Sequence, residues 1–407
     1  MKSHIRVVIT GLGAVTPIGN NVDTSWYNAV HAKSGIQDIT RFSTENMNVR
    51  IAAEVKNFNA SEWLSLKEQR RCSLFIQYAI ASAGQALQQS GLSMSTEHPR
   101  IGACIGVGIG DLGAIENGSH AMKEGGDRKI SPFFIPYTIC NMASGIVSQQ
   151  FKLQGPCFSV NSACASGTHS IGEAVSMIQQ GRADAMIAGG AEGALCRLGI
   201  VGFDNMHALS RNNTCEASRP FDQDHDGFVF GEGAGIVFLE REDIAKKRGA
   251  HILAEVSGYG LSADAWHMTA PPESGSGATA SMKMALQNVS HIDYVNAHGT
   301  STQTNDTVET QAILNTFGEK DAYKLSISST KSVTGHCLGA AGGIEAVFAV
   351  KSILSGIIPP TAHLRTPAEG CPLDYTPLVA REKKIRHVLS NSFGFGGTNA
   401  SLVFSAV

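Results

Sequence analysis

The stretch CASGTHSIGEAVSMIQQG, residues 164–181, decides how the chain folds, because HCLGAAGGIEAVFAVKSILSG at 336–356 reads the same way. Each is a run of small residues opening an apolar helical pattern. At an offset of 172 residues Gly167 falls on Gly339, Glu173-Ala174-Val175 on Glu345-Ala346-Val347, and Cys164 on His336. The match predicts two similar halves, 1–250 and 251–407, related by a pseudo-twofold axis that brings the two helix starts together.

Outward from these stretches, short β-branched runs (RVVIT at 6–10, AMIAGG at 185–190, GIVFLE at 235–240, HVLSN at 387–391) alternate with helical patterns such as SLFIQYAIASAGQALQQSG at 73–91. Alternation of this kind predicts α/β layers around a buried sheet. The apolar N-terminal run VVITGLGAVTPIG is broken by glycines and a proline, so it reads as a strand and turn and not as a leader. Glu345, Lys351 and Pro359-Pro360 interrupt the apolar region near 338–360, and no membrane span is expected there.

The chain has 32 basic and 35 acidic residues, a net charge of -3, which excludes a global field drawing it to nucleic acid or an anionic membrane. Any charged partner must be met by a local patch. Nine cysteines are scattered without CxxC pairs or metal-ligand spacing, which points to a reduced, cytoplasmic setting and to no metal site. The sequence GIGDLG at 108–113 satisfies GxGxxG, the pattern of a phosphate cradle. No acidic residue follows at the distance a ribose contact needs, so a dinucleotide site is not favoured.

Candidate chemistry gathers at three loops. Cys164 precedes a helix, where unpaired N–H groups and the helix dipole lower a thiol's pKa from about 8.5; it reads either as a nucleophile or as a small core residue. His298 in VNAHGTSTQTND and His336 in STKSVTGHCLGAAGG each sit in a polar turn after an apolar strand, the usual place for chemistry in α/β proteins. Lys331, with Asp306 and Glu309, supplies opposite charges at the same two loops, either as a pair that orients histidine or as surface ions. In SNSFGFGGTNASLVF at 390–404, Phe393 and Phe395 lie in a glycine run, either shielding an apolar pocket or packing in the core.

Together these motifs resemble the β-ketoacyl-[acyl-carrier-protein] synthases of type II, elongating condensing enzymes of the thiolase superfamily. The likeness runs in order from VVITGLGAVTPIGN through SACASG, AGGAEG, RPFDQDHDGFVFGEGAG, NAHGTST, STKSVTGHCLGAAGG and NSFGFGGTN, nearly the whole chain. It implies the thiolase fold, two related halves in five layers α-β-α-β-α, and an acyltransferase of fatty acid synthesis that works as a homodimer without metal or organic cofactor. By the same resemblance Cys164 is the nucleophile that carries the acyl group, and the backbone N–H groups of Cys164 and Phe395 form an oxyanion hole. His298 and His336 stabilise the enolate of the malonyl thioester. Lys331 and Glu309 match a supporting pair, with Asp306 beside them, and Thr300 and Thr302 match contacts to the pantetheine arm. Phe395, with Phe393 beside it, matches the acyl gate, while Ile109 and Phe133 match acyl-pocket and dimer-interface positions.

The implied partner is an acidic acyl carrier protein, for which Lys67, Arg70 and Arg71 offer a basic cluster; as bare residues these also read as a solvated helix face. Gln303 stands where the family often has proline, and the segment 285–294 is shorter than usual. These departures leave open a housekeeping enzyme, a synthase of a polyketide or specialised lipid pathway, or a non-catalytic chain-length partner. The intact Cys164, His298 and His336 argue against the last.

Overall fold

The computed structural model describes residues 5–407. Ten strands build the main sheet: β1 (Val7–Val15), β2 (Ile101–Gly106), β3 (Cys157–Phe158), β4 (Ala185–Glu192), β5 (Gly233–Arg241), β6 (Ala254–Ala263), β7 (Tyr294–Asn296), β8 (Ser326–Ser328), β9 (His387–Gly394) and β10 (Thr398–Ser405). Their order is β8-β7-β9-β10-β6-β1-β5-β4-β2-β3. Read outward from the centre, β1-β5-β4-β2-β3 and β6-β10-β9-β7-β8 are the same topology used twice. In each half the first two neighbouring pairs are antiparallel and the last two parallel. Among the described residues the strand ladder between the half-sheets has two residue pairs, Val8 with Glu255 and Ile9 with Ala254.

Eight helices cover the sheet or carry the site: α1 (Leu74–Ser90), α2 (Leu112–Gly125), α3 (Met142–Gln150), α4 (Ser166–Gln179), α5 (Arg197–Asn205), α6 (Ser276–Ala285), α7 (Gln303–Phe317) and α8 (Ala341–Ser355). Helices α1 and α3 cover the outer face of the first half-sheet, α4 and α8 lie between the two half-sheets, and α6 with α7 covers the outer face of the second. The five layers implied by the resemblance are therefore present. Helix α8, apolar nearly all round, is enclosed by both sheets and by α4, which explains a composition close to that of a membrane segment.

Close packing explains the glycines of β1. A Cβ on Gly11 would come within 1.9 Å of the Ala86 carbonyl oxygen, and one on Gly13 within 1.8 Å of that of Ser82, so α1 lies directly on the strand. Between the sheets, a Cβ on Gly343 would meet the Gly235 carbonyl oxygen at 2.1 Å and the Gly190 nitrogen at 2.6 Å. The central layer is set by glycine on both sides of the contact.

The halves repeat, but not in the register read from the sequence. The single-turn helices Ala163–Ala165 and Leu338–Ala340 precede α4 and α8, and Ala163 (φ 50°) and Leu338 (φ 47°) share a left-handed backbone. These equivalences give an offset of 175, so Cys164 corresponds to Gly339 and not to His336. His336 instead lies two residues before the left-handed turn, on a segment bridged to Phe230.

Candidate active site

Cys164 sits on the single turn before α4, following a left-handed alanine. Non-glycine residues adopt that conformation at a cost of about 1 kcal/mol, and here it aims the next side chain out of the helix line. The thiol opens into a cavity of about 270 Å³ whose walls come from both halves, with Cys164, Phe228, His298, His336, Phe393 and Phe395 among its lining residues. The backbone N–H groups of Phe395 and of Cys164 itself face the sulfur.

Burial pushes the Cys164 thiol up to about 12, outweighing the Lys331 charge and those two N–H groups, which favour thiolate. The expectation of a thiol lowered by its helix start is thus corrected. The resting sulfur is protonated, and its reactivity must come from groups that act as the substrate arrives.

His298 follows β7, where the loop is clamped by Glu309: its Oε1 accepts the His298 N–H at 2.8 Å and its Oε2 the Gly299 N–H at 2.8 Å. Asn391 of β9 donates to the same carboxylate at 3.2 Å. His336 is fixed through its main chain, donating to the Val229 carbonyl at 2.7 Å and accepting from the Gly231 N–H at 2.9 Å. The two imidazoles stand edge to face, centroids 5.4 Å apart at 85°. Phe393 packs on His298 at 5.7 Å and Phe228 on His336 at 5.3 Å. Burial and then the Lys331 charge push both histidines well below the ordinary imidazole range, with His336 adding to the effect on His298. Both are therefore neutral near pH 7, each offering one N–H to an oxyanion.

Lys331 does not pair with Glu309. Its ammonium bonds the carboxylate of Glu345 on α8, and both side chains are buried. Glu309 instead holds backbone, and burial, opposed by those N–H bonds, pushes it up to about 7. Asp306 faces another way again, accepting from the Phe221 N–H at 2.8 Å and from His225 Nδ1 at 2.9 Å, which ties the start of α7 to the 219–228 loop. Thr300 and Thr302 line the cavity with their hydroxyls 2.9 Å apart.

Other predicted residues lie farther out. Ile109 packs in the apolar cluster that holds Cys164 and Leu338 and does not line the cavity. Phe133 does not line it either; its ring lies 5.2 Å from the Arg71 guanidinium and 6.2 Å from Tyr137. Lys67, Arg70 and Arg71 are exposed on and just after a short helix, Leu66–Gln69, that is capped by Ser65 and Glu68.

Three features escaped sequence reasoning. Glu345 was visible only as a charge interrupting an apolar run, although an acidic residue inside such a helix must have a partner. Glu192 was visible only inside AGGAEG and was given no role, yet it accepts the N–H groups of Gly108, Ile109, Gly110 and Gly339. The amides of GIGDLG that a phosphate would need are thus already taken by a carboxylate of the protein itself. Finally, Asn296 Oδ1, Ser390 Oγ and Glu345 Oε2 are buried without a protein partner, Asn296 and Ser390 being paired across β7 and β9 and Asn296 Nδ2 reaching the Glu345 carbonyl at 3.3 Å. Among the described residues, no cluster of His, Cys, Asp and Glu side chains is suited to a transition metal.

Comparison with known proteins places this geometry. Residues 5–245 match the family model for the beta-ketoacyl synthase N-terminal domain, and residues 253–365 that for the C-terminal domain. The chain is 51% identical over 409 aligned residues to the 3-oxoacyl-[acyl-carrier-protein] synthase 2 of Coxiella burnetii, covering 99% of both chains. Among solved structures it is similar to the ishigamide ketosynthase/chain length factor, with TM-score 0.92, 34% identity and complete coverage of both chains. A ketosynthase bound to the hexaketide in complex with its type II acyl-carrier protein matches with TM-score 0.91 and 33% identity, again over both whole chains.

Proposed function

The chain belongs to the β-ketoacyl synthase family, and from that premise we propose that it elongates acyl chains by decarboxylative condensation on an acyl carrier protein. The observation that carries the reading is the convergence of Cys164 from one half with neutral His298 and His336 from the other, in one cavity. The higher identity to a 3-oxoacyl synthase than to the ketosynthase of a type II PKS acyl-carrier protein supports fatty acid elongation.

In the first half-reaction the Cys164 sulfur attacks the acyl thioester. The N–H groups of Cys164 and Phe395 receive the oxyanion, the carrier sulfur departs, and the proton of the cysteine thiol ends on it. In the second, malonyl thioester loses carbon dioxide, and the enolate oxygen is held by the N–H groups of His298 and His336. Its carbon attacks the acyl-enzyme, the Cys164 sulfur leaves, and one proton is taken up. The product is a 3-ketoacyl thioester two carbons longer. Thr300 and Thr302, along the cavity wall, would bind the pantetheine arm, and Phe395 would admit the acyl chain. No step so written calls on a metal or organic cofactor.

Two surfaces complete the reading. Lys67, Arg70 and Arg71 form the local positive patch that a nearly neutral protein needs to meet an acidic carrier. Helix α2 buries none of its residues, and Ile115 and Met122 on it, with Ile135 and Ile139 nearby, are more than 40% exposed, an apolar face suited to a second copy of the chain in a homodimer. The reaction is tested by intact mass after incubation with acyl-carrier proteins. An adduct that needs Cys164 and converts to 3-ketoacyl product on malonyl-carrier addition supports the reading; folded protein that takes no acyl chain overturns it.

A further inference from the structure

The carboxylate of Glu192, at the end of β4, is wholly out of solvent and takes part in neither half-reaction. It accepts from Gly110 at 2.7 Å, Gly108 at 3.0 Å, and Ile109 and Gly339 at 3.1 Å, four backbone donors from two distant parts of the chain. One is the β2–α2 loop that carries Ile109. The other is the turn three residues past His336, equivalent by the internal repeat to the turn of Cys164. The Cys164 turn itself closes on the same point: a Cβ on Gly108 would meet Glu192 Oε2 at 2.7 Å, the Gly339 nitrogen at 3.1 Å and the Ala163 carbonyl oxygen at 3.4 Å. A Cβ on Gly339 would meet the Gly108 nitrogen at 2.2 Å.

We propose that Glu192 is a positioning residue for condensation, its carboxylate locking the Ile109 loop and the turn after His336 against the Cys164 turn. The inference rests on the proposed condensing function. A side chain that merely filled space would not need four backbone donors aimed at it; burial, opposed by those N–H bonds, pushes the Glu192 carboxyl up to about 7, so its charge is complete only above that range. Four converging amides without a carboxylate would leave buried donors unpaired, and the spacing between Cys164 and His336 would no longer be held from behind. The charge has a second effect. Lys331 and Glu192 are the charged groups acting on Cys164, with neutral His298 and His336 beside it, and Glu192 opposes thiolate formation.

These two roles give opposite signs when the charge is removed. In Glu192→Gln, acylation of Cys164 should stay within about threefold of the parent while condensation falls by about tenfold or more, because acylation does not use His336. The pH midpoint for alkylation of Cys164 by iodoacetamide, followed by peptide mass, should move down. In Glu192→Asp, which keeps the charge on a shorter arm, condensation stays low while the alkylation midpoint remains parental. Parental condensation by either folded variant overturns the proposal, as do proportionate losses in both half-reactions with an unmoved midpoint. Should the glutamine variant fail to fold, the aspartate variant decides by the same comparison. A parent protein that does not condense would instead count against the proposed function, and the alkylation midpoint still reads Glu192 in that case.

Discussion

Lys331 and Glu345 form an ion pair enclosed between the two half-sheets, with side-chain exposures of 1% and 3%. An ammonium in such a place is tolerated because a carboxylate meets it, and its field adds to burial in keeping His298 and His336 neutral, each with one N–H to donate.

Breaking the pair from either side leaves one charge without compensation. Lys331→Met and Glu345→Met should each lower the unfolding free energy by about 3–5 kcal/mol, whereas the two substitutions together should cost clearly less than their sum. Denaturant titration of the three variants checks this; additive losses would mean that the two groups do not stabilise one another.

Much of this arrangement was legible in the sequence. The turns bearing Cys164, His298 and His336 announced themselves as small or polar residues between apolar runs, because such turns must bring backbone close to a substrate. The register of the repeat was not read correctly, for a physical reason: a slip of three residues keeps a helical pattern on nearly the same face, so 172 and 175 look alike by periodicity. At 175 the identities are more numerous: Ala165 with Ala340, Gly167 with Gly342, Ala174-Val175 with Ala349-Val350, Ile178 with Ile353 and Gly181 with Gly356. The last pair end their helices with φ of 71° and 66°, a shared cap that counting residues alone does not weigh. The partner of Lys331 was misassigned because Glu309 lies at the right loop, while Glu345 lies in a helix whose apolar character drew attention away from its one carboxylate. The resting state of Cys164 was misread because a helix start is visible in sequence and burial by residues from the other half is not.

Burial of Cys164 has a measurable consequence. A thiol pushed up to about 12 gains thiolate only as pH rises far above the ordinary cysteine range near 8.5. Alkylation of Cys164 by iodoacetamide should therefore still be accelerating at pH 10, with exposed Cys215 as the comparison in the same digest. Peptide mass across pH 6 to 10 separates the two cysteines. A Cys164 rate that is already flat at pH 7 would show that the turn before α4 outweighs burial after all.

The two histidines carry the most exposed part of the mechanism, because they are asked to act in one half-reaction only. The ring of each lines the cavity with Cys164, but the oxyanion of acyl transfer is met by backbone N–H groups of Cys164 and Phe395. Removing an imidazole should therefore leave acyl loading close to parental and slow condensation by about 10²–10³, the usual effect of losing one donor to a developing oxyanion. His298→Ala and His336→Ala, loaded with acyl-carrier protein and followed by mass before and after malonyl-carrier addition, should accumulate the Cys164 adduct and turn it over poorly. The double variant should lose less than the product of the two single losses, since two donors to one oxygen act as a unit. Condensation at the parental rate by both single variants would remove the histidines from the reaction, and loss of acyl loading in either would place that ring in the first half-reaction.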